Sequence, residues 1–172
     1  QVVLIDTNQT NINQAKQLGL DALNVDIYSD ELIDNIELNN IGYLIALTGN
    51  TDINKFAIDK FEKQFGENGA YRIATKDEIS NQAKDEELFS YTNDYLSLLE
   101  LARKNPNIHE INIETENNFH DLITFTKNEK NIIPLFLKYG NNQLDPIGTS
   151  NRTLKIGKGT KLVYLGSEIK QD

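Results

Sequence analysis

The chain contains no cysteine and no methionine in 172 residues. Without cysteine there can be no disulfide, no thiolate nucleophile and no cysteine-type zinc site. The composition fits a reducing compartment. Without methionine the sequence lacks the residue that starts an intact reading frame, so it reads as part of a longer parent chain. Basic residues are also scarce. Against 26 Asp and Glu stand 17 Lys and Arg, a net charge of −9. Binding a phosphate backbone needs clustered Lys and Arg, so the balance argues against nucleic acid as a partner, and the acidic excess reads as solubility. No apolar run approaches the roughly 20 residues of a membrane helix, and no signal peptide is visible. The parent could still be a membrane protein. What is present, 38 % hydrophobic and 25 % charged residues, suits a globular fold.

The first half alternates short aliphatic runs with amphipathic stretches. Val2–Ile5 predicts a strand, closed by Asp6 and a polar turn, Thr7-Asn8-Gln9. A helix over Asn11–Gln17 follows, with Thr10 as N-cap and Gly19 as stop. Leu20–Val25 predicts a second strand ending at Asp26, and Ser29 caps a helix to about Ile36. Tyr43–Leu47 reads as a strand buried on both faces. Asp52–Phe65 reads as a helix, and Ala70–Ala74 as a further strand. This alternation implies a parallel sheet, with right-handed crossovers that put the strand C-termini on one edge. Asp6, Asp26 and Thr48 should then share the edge where open α/β sheets bind ligands.

The second half changes character. Residues 81–106 read as a connector, helical over Asn93–Ala102 with Leu96, Leu99 and Ala102 on its apolar face. From about residue 107 the pattern is β: Ile108–Ile113, Ile132–Tyr139, Leu154–Ile156 and Leu162–Leu165. Gly140-Asn141-Asn142 and Gly157-Lys158-Gly159 supply the turns. The expected fold is therefore α/β: a truncated Rossmann-like parallel sheet lacking its first strand (residues 1–80), the connector, and a small, mostly antiparallel β module (107–172).

Asp6 is the principal candidate for chemistry. A carboxylate at this strand end can accept from both ribose hydroxyls and would repel a 2′-phosphate, which favours NAD(H) or an adenine nucleotide over NADP. The alternative is that Asp6 caps the following helix. Asp26 is either near an adenine or else a solvated loop carboxylate or helix cap. Thr48, Gly49 and Asn50 offer a hydroxyl, a flexible turn and an amide for a ribose or diphosphate, or form an ordinary turn capped by Thr48 or Thr51. The glycine-rich phosphate turn of a dinucleotide site belongs roughly 20 residues before such an acid and is not in this sequence. Nucleotide binding by these residues alone should be weak or absent. His109 and His120 fit no metal spacing and no nucleophile–base pair, and no catalytic constellation is legible.

Several of these segments resemble the RCK/KTN (TrkA-N type) regulatory domain of cation transporters. They are Val2-Val3-Leu4-Ile5-Asp6-Thr7-Asn8, the helix end Ala15 to Gly19, and Ile41-Gly42-Tyr43-Leu44-Ile45-Ala46-Leu47-Thr48 with Asn50 and Asn54. They are most similar to the version on the cytoplasmic tail of NhaP-like sodium/proton antiporters. The resemblance implies a Rossmann-like domain, not an enzyme, that binds NAD(H), ATP or ADP. It also implies a homodimer that gates the membrane transport domain of the same parent chain from the cytoplasmic side. By position, Asp6 with Thr7 and Asn8 would hold ribose, Asp26 and Ile27 would line the adenine pocket, Thr48 and Asn50 would lie at the cofactor edge, and Asn54 would make packing or dimer contacts. Residues from 107 are loosely similar to the family's closing module. The acid that the family carries after glycine is Thr160 here, and no ligand site is assigned there. Two other readings stand beside this one: a piece of an NAD-dependent oxidoreductase, and a protein-interaction module with no small ligand.

Overall fold

The structure, a computed structural model, describes residues 2–30, 42–61, 63, 69–82, 88–89, 94–148 and 156–170. Strands β1 (Val3–Asp6) and β2 (Asp21–Asn24) pair in parallel, with Asp6 opposite Asn24. Helix α1 (Gln9–Gln17) joins them. Its Ile12 and Ala15, three residues apart and so on one face, bury against Ala22 beside Leu4. The helix starts two residues earlier than expected, and its N-cap is Asn8, not Thr10; the Asn8 side chain accepts from the Thr10 N–H. The cause is Asp6. Its carboxylate accepts from the Asn8 N–H at 2.8 Å, turning the chain so that Asn8 has the extended backbone of a cap. Gly19 ends the helix as expected. Its φ is +78°, and the Leu20 N–H to Ala15 and Gly19 N–H to Lys16 bonds close a Schellman motif.

A second parallel sheet contains β3 (Leu44–Ala46), β4 (Ala70–Ile73) and β5 (Leu88–Phe89), in that order. Helix α2 (Thr51–Phe61) connects β3 to β4, and the short α3 (Lys76–Ser80) follows β4. The strand β5 was not anticipated, since two residues carry no periodicity. The helix expected over Ser29–Ile36 lies outside the described residues beyond Asp30. The run at 43–47 is half-buried and not covered on both faces. Leu47, just past the end of β3, is 40 % exposed.

The fold is thus Rossmann-like in its parallel β–α–β units, but the parallel strands form two sheets, with no ladder joining β1 to β3 among the described residues. What joins the sheets is α2. Phe61, 3 % exposed, packs against Ile5, Val25 and Ile27 from the first unit and Leu44 and Ala70 from the second. Ile5 and Val25 lie at the C-terminal ends of β1 and β2, whereas Leu44 and Ala70 open β3 and β4. With no ladder between them among the described residues, side-chain contacts to Phe61 hold the two sheets together.

The β module is a four-stranded antiparallel sheet in the order β6 (Ile108–Ile113), β9 (Thr160–Gly166), β7 (Ile132–Lys138), β8 (Leu144–Pro146). Asn142, at φ +63°, and the Tyr139 N–H to Gln143 bond form the expected β7–β8 turn. Leu154 and Lys155 of the expected strand there lie outside the described residues. Helix α4 (Tyr95–Lys104) leads into the module. Its buried face carries Leu98 and Leu101, packed with Ile133, Leu135 and Leu165, while Leu96 is 69 % exposed. Ala102 is exposed and Leu99 half-buried, so the buried face is rotated from the expected one by about a third of a turn. Helix α5 (Glu116–Asn128), absent from the sequence reading, covers one sheet face through Phe119 and Ile123, with Leu122 beside them.

The second parallel sheet touches this module directly. The Asp145 carboxylate accepts from the Tyr43 hydroxyl at 2.6 Å and from the Tyr139 hydroxyl at 2.9 Å. Burial, together with this bond, raises the Tyr139 pKa above the usual phenol range. Phe89 faces Phe136 at 6.0 Å between centroids and bridges Gly148.

Two predictions follow from these contacts. Tyr43→Phe removes one charge-assisted hydrogen bond and should cost about 1.5–3 kcal/mol in chemical denaturation; a change under about 0.5 kcal/mol would mean the bond contributes nothing. The second concerns Arg72, 2 % exposed, whose guanidinium makes two bonds of 3.0 and 2.8 Å to Glu78. Glu78 also closes a capping box with Thr75. The Arg72 bonds outweigh burial and lower the Glu78 carboxyl from 4.5 to about 2. A depressed carboxylate stabilises above its unfolded pKa, and that stabilisation is lost as the pH falls. We expect roughly 3 kcal/mol to disappear between about pH 4.5 and 2, and Glu78→Gln to flatten that part of the stability–pH curve.

Candidate functional site

The candidate residues form three hydrogen-bonded clusters. In the first, Asp6 ends β1 and its two oxygens are each used once: Oδ1 accepts from the Asn8 N–H and Oδ2 from the Asn11 amide at 2.7 Å. Asn24, opposite Asp6 on β2, donates to Gln9 Oε1 at 2.7 Å, tying the β2 end to the start of α1. Thr7 is exposed. A carboxylate offers about four lone-pair positions, so two remain for external hydroxyls. The cap reading and the ribose reading of Asp6 are therefore compatible: the bonds that make it a cap also orient it.

In the second cluster, Asp26 Oδ1 accepts from the Tyr28 N–H at 2.9 Å, and the Asp26 carbonyl from the Ser29 N–H. This turn is fastened to α2 by Lys60, whose ammonium donates to the carbonyls of Ile27 at 3.1 Å and Ser29 at 2.9 Å. The same ammonium lies 5.8 Å from the ring centroids of Phe56 and Phe61, within cation–π range. Tyr28 packs on Phe56 at 4.5 Å.

The third cluster is the turn after β3. Asn54, 2 % exposed on α2, takes the Thr48 N–H at 3.0 Å and the Thr48 hydroxyl at 2.7 Å on its Oδ1, and returns its amide to the Thr48 carbonyl at 2.9 Å. Asn50 caps α2 by accepting from the Asp52 and Ile53 N–H groups, a role the sequence reading gave to Thr48 or Thr51. The donors of Thr48 are spent inside the turn. Among the described residues no hydrogen bond or ion pair joins the three clusters.

Sequence reasoning missed the roles of Asn11, Lys60 and Asn54. For Asn54 a signal was available: Asn50 and Asn54 are four apart and share one helix face, so both can reach the turn that precedes the helix. Lys60 carried none, because its acceptors are backbone carbonyls.

Parallel β–α–β units, the first closed by a strand-end acid, define a Rossmann-like module. Residues 1–88 match the TrkA-N domain family model, half of the chain, and the chain belongs to that family. TrkA-N domains are regulatory, NAD-binding domains of potassium and other cation transport systems. No curated protein matches the chain. Among the described residues no helix is long and apolar enough to cross a membrane.

Asn54 gives the sharpest test of this geometry. Asn54→Ala removes three hydrogen bonds from one turn and should cost about 1–3 kcal/mol. Its effect on amide exchange should centre on residues 48–54, with the Asp6 turn unchanged because the clusters are separate. Equal exchange increases at both turns would show that they form one unit.

Proposed function

We propose that this chain is the cytoplasmic regulatory part of a cation/proton antiporter, exchanging sodium for protons, that senses NAD(H) or ATP/ADP and acts on the membrane transport domain of its parent chain as a homodimer. It works by binding and not by catalysis. The family match supports the regulatory class, and the observation that carries the ligand is Asp6, a carboxylate fixed by Asn8 and Asn11 with acceptor capacity left for two ribose hydroxyls. Thr7 and Asn8 sit beside that acid, Asp26 and Ile27 form the turn after β2, and Gly49 and Asn50 the turn after β3. No G-x-G-x-x-G occurs in the sequence, so these residues supply ribose contacts without a pyrophosphate cradle, and the affinity of this chain by itself is expected to be low. Regulation in such a device means that the ligand shifts the population of two arrangements by its differential affinity for them.

Weak binding calls for a method that sees it. Titration of the isotope-labelled chain with NADH, NAD, ATP and ADP should move the amide signals of Asp6, Asn8 and Asn11. Asp6→Asn, which keeps one acceptor oxygen but loses the charge, should weaken binding about 10- to 100-fold, the range for losing a hydrogen bond to a charged group. If no nucleotide moves these signals, the sensor reading is wrong and a ligand-free interaction module is favoured.

A further inference from the structure

We propose that Tyr95 couples the Thr48–Gly49–Asn50 turn to the antiparallel module, with α4 as the rigid element between them. The proposal deepens the regulatory reading and rests on it for the nature of the input; the coupling itself is a property of this chain.

Gly49 does not adopt the left-handed backbone that would require glycine. Its need is space: a Cβ there would lie 3.0 Å from Tyr95 Cε1 and 3.2 Å from Cδ1, closer than such carbons normally approach. The tyrosine ring therefore sits on the backbone of the turn. The turn cannot yield freely, because buried Asn54 holds it by three bonds to Thr48. The Gly49 N–H makes no hydrogen bond among the described residues, so this exposed turn offers a backbone donor that an incoming anionic oxygen would engage.

The other side of the contact is equally fixed. Tyr95 is the first residue of α4, directly after its N-cap Asp94. Asp94 accepts from the Ser97 N–H at 2.9 Å and the Ser97 hydroxyl at 2.7 Å. Ten residues of helix span about 15 Å. Near its far end Leu101, 6 % exposed, is packed with Ile133 of β7 and Leu165 of β9. One helix thus has its first side chain on the candidate site and a later one in the core of the module. Packed elements shift as units and do not deform continuously, so a ligand that moves Gly49 moves the ring, the helix start and the seat of Leu101.

Hydrogen exchange tests the coupling without any ligand. Tyr95→Ala should raise exchange about tenfold in residues 48–54 and also in β7 and β9. Tyr95→Phe should behave as wild type, since the contact is made by ring carbons. Gly49→Ala, which displaces the ring from the opposite side, should reproduce Tyr95→Ala and keeps the test alive if that variant folds poorly. Increases confined to residues 48–54 and 94–98, with β7 and β9 unchanged, overturn the proposal. The chain has no tryptophan, so Tyr95→Trp adds a sole indole whose emission should change as nucleotide binds. A nucleotide that binds while leaving that emission and the exchange of β7 and β9 unchanged overturns the coupling but not the sensor reading. Intact coupling with no nucleotide bound overturns the sensor reading but not the coupling.

Discussion

Phe61 is the side chain on which both parallel sheets depend. Removing a phenylalanine of this kind from water contributes roughly 1.5–3 kcal/mol, and truncating one in a packed core costs more, because a cavity remains. The leverage here is geometric as well. Among the described residues no ladder links β1 to β3, and both sheets pack on the Phe61 ring. Lys60, one residue earlier, adds a different force, through two bonds to carbonyls of the turn after β2. A hydrocarbon face and a cation on successive residues of α2 thus hold one half of the parallel region against the other.

That helix also explains why the candidate residues remain separate clusters. The N-terminal end of α2 organises the turn after β3 through Asn50 and Asn54, and its C-terminal end grips the turn after β2. The two turns are held by opposite ends of one helix of 11 residues, about 16 Å long. The Asp6 turn depends on neither, since its bonds run to Asn8 and Asn11 within its own unit.

Much of this was legible in the residues, and the reasons differ element by element. Gly19 declared the end of α1 because only the left-handed backbone satisfies a Schellman motif, and Gly140-Asn141-Asn142 declared the β7–β8 turn in the same way. The strand-end acid and the TrkA-N pattern were readable because they are local. Three things were not. Strand β5 is two residues long and has no period to detect. Helix α5 is rich in Asn and acids, and its stripe of Phe119, Leu122, Ile123 and Thr126 was hidden among polar neighbours. The packing of the two sheets on Phe61 is a tertiary contact, and no pattern within a strand records it. The Asp6 question, cap or ligand, was posed as a choice because a sequence does not show how many lone pairs a cap consumes.

The self-sufficiency of the three turns limits how such a molecule can signal. Each is closed by hydrogen bonds within the protein: Asp6 with Asn8 and Asn11, Asp26 with the Tyr28 N–H and Lys60 on the carbonyls beyond it, Thr48 with Asn54. None of these three turns needs a ligand to take shape, so binding at them incurs little ordering entropy and calls for no disorder-to-order switch within them. A molecule with prefolded turns can report occupancy only by displacement. Its sensitivity is then set by the stiffness of the parts that meet the turns and not by how readily the turns themselves melt.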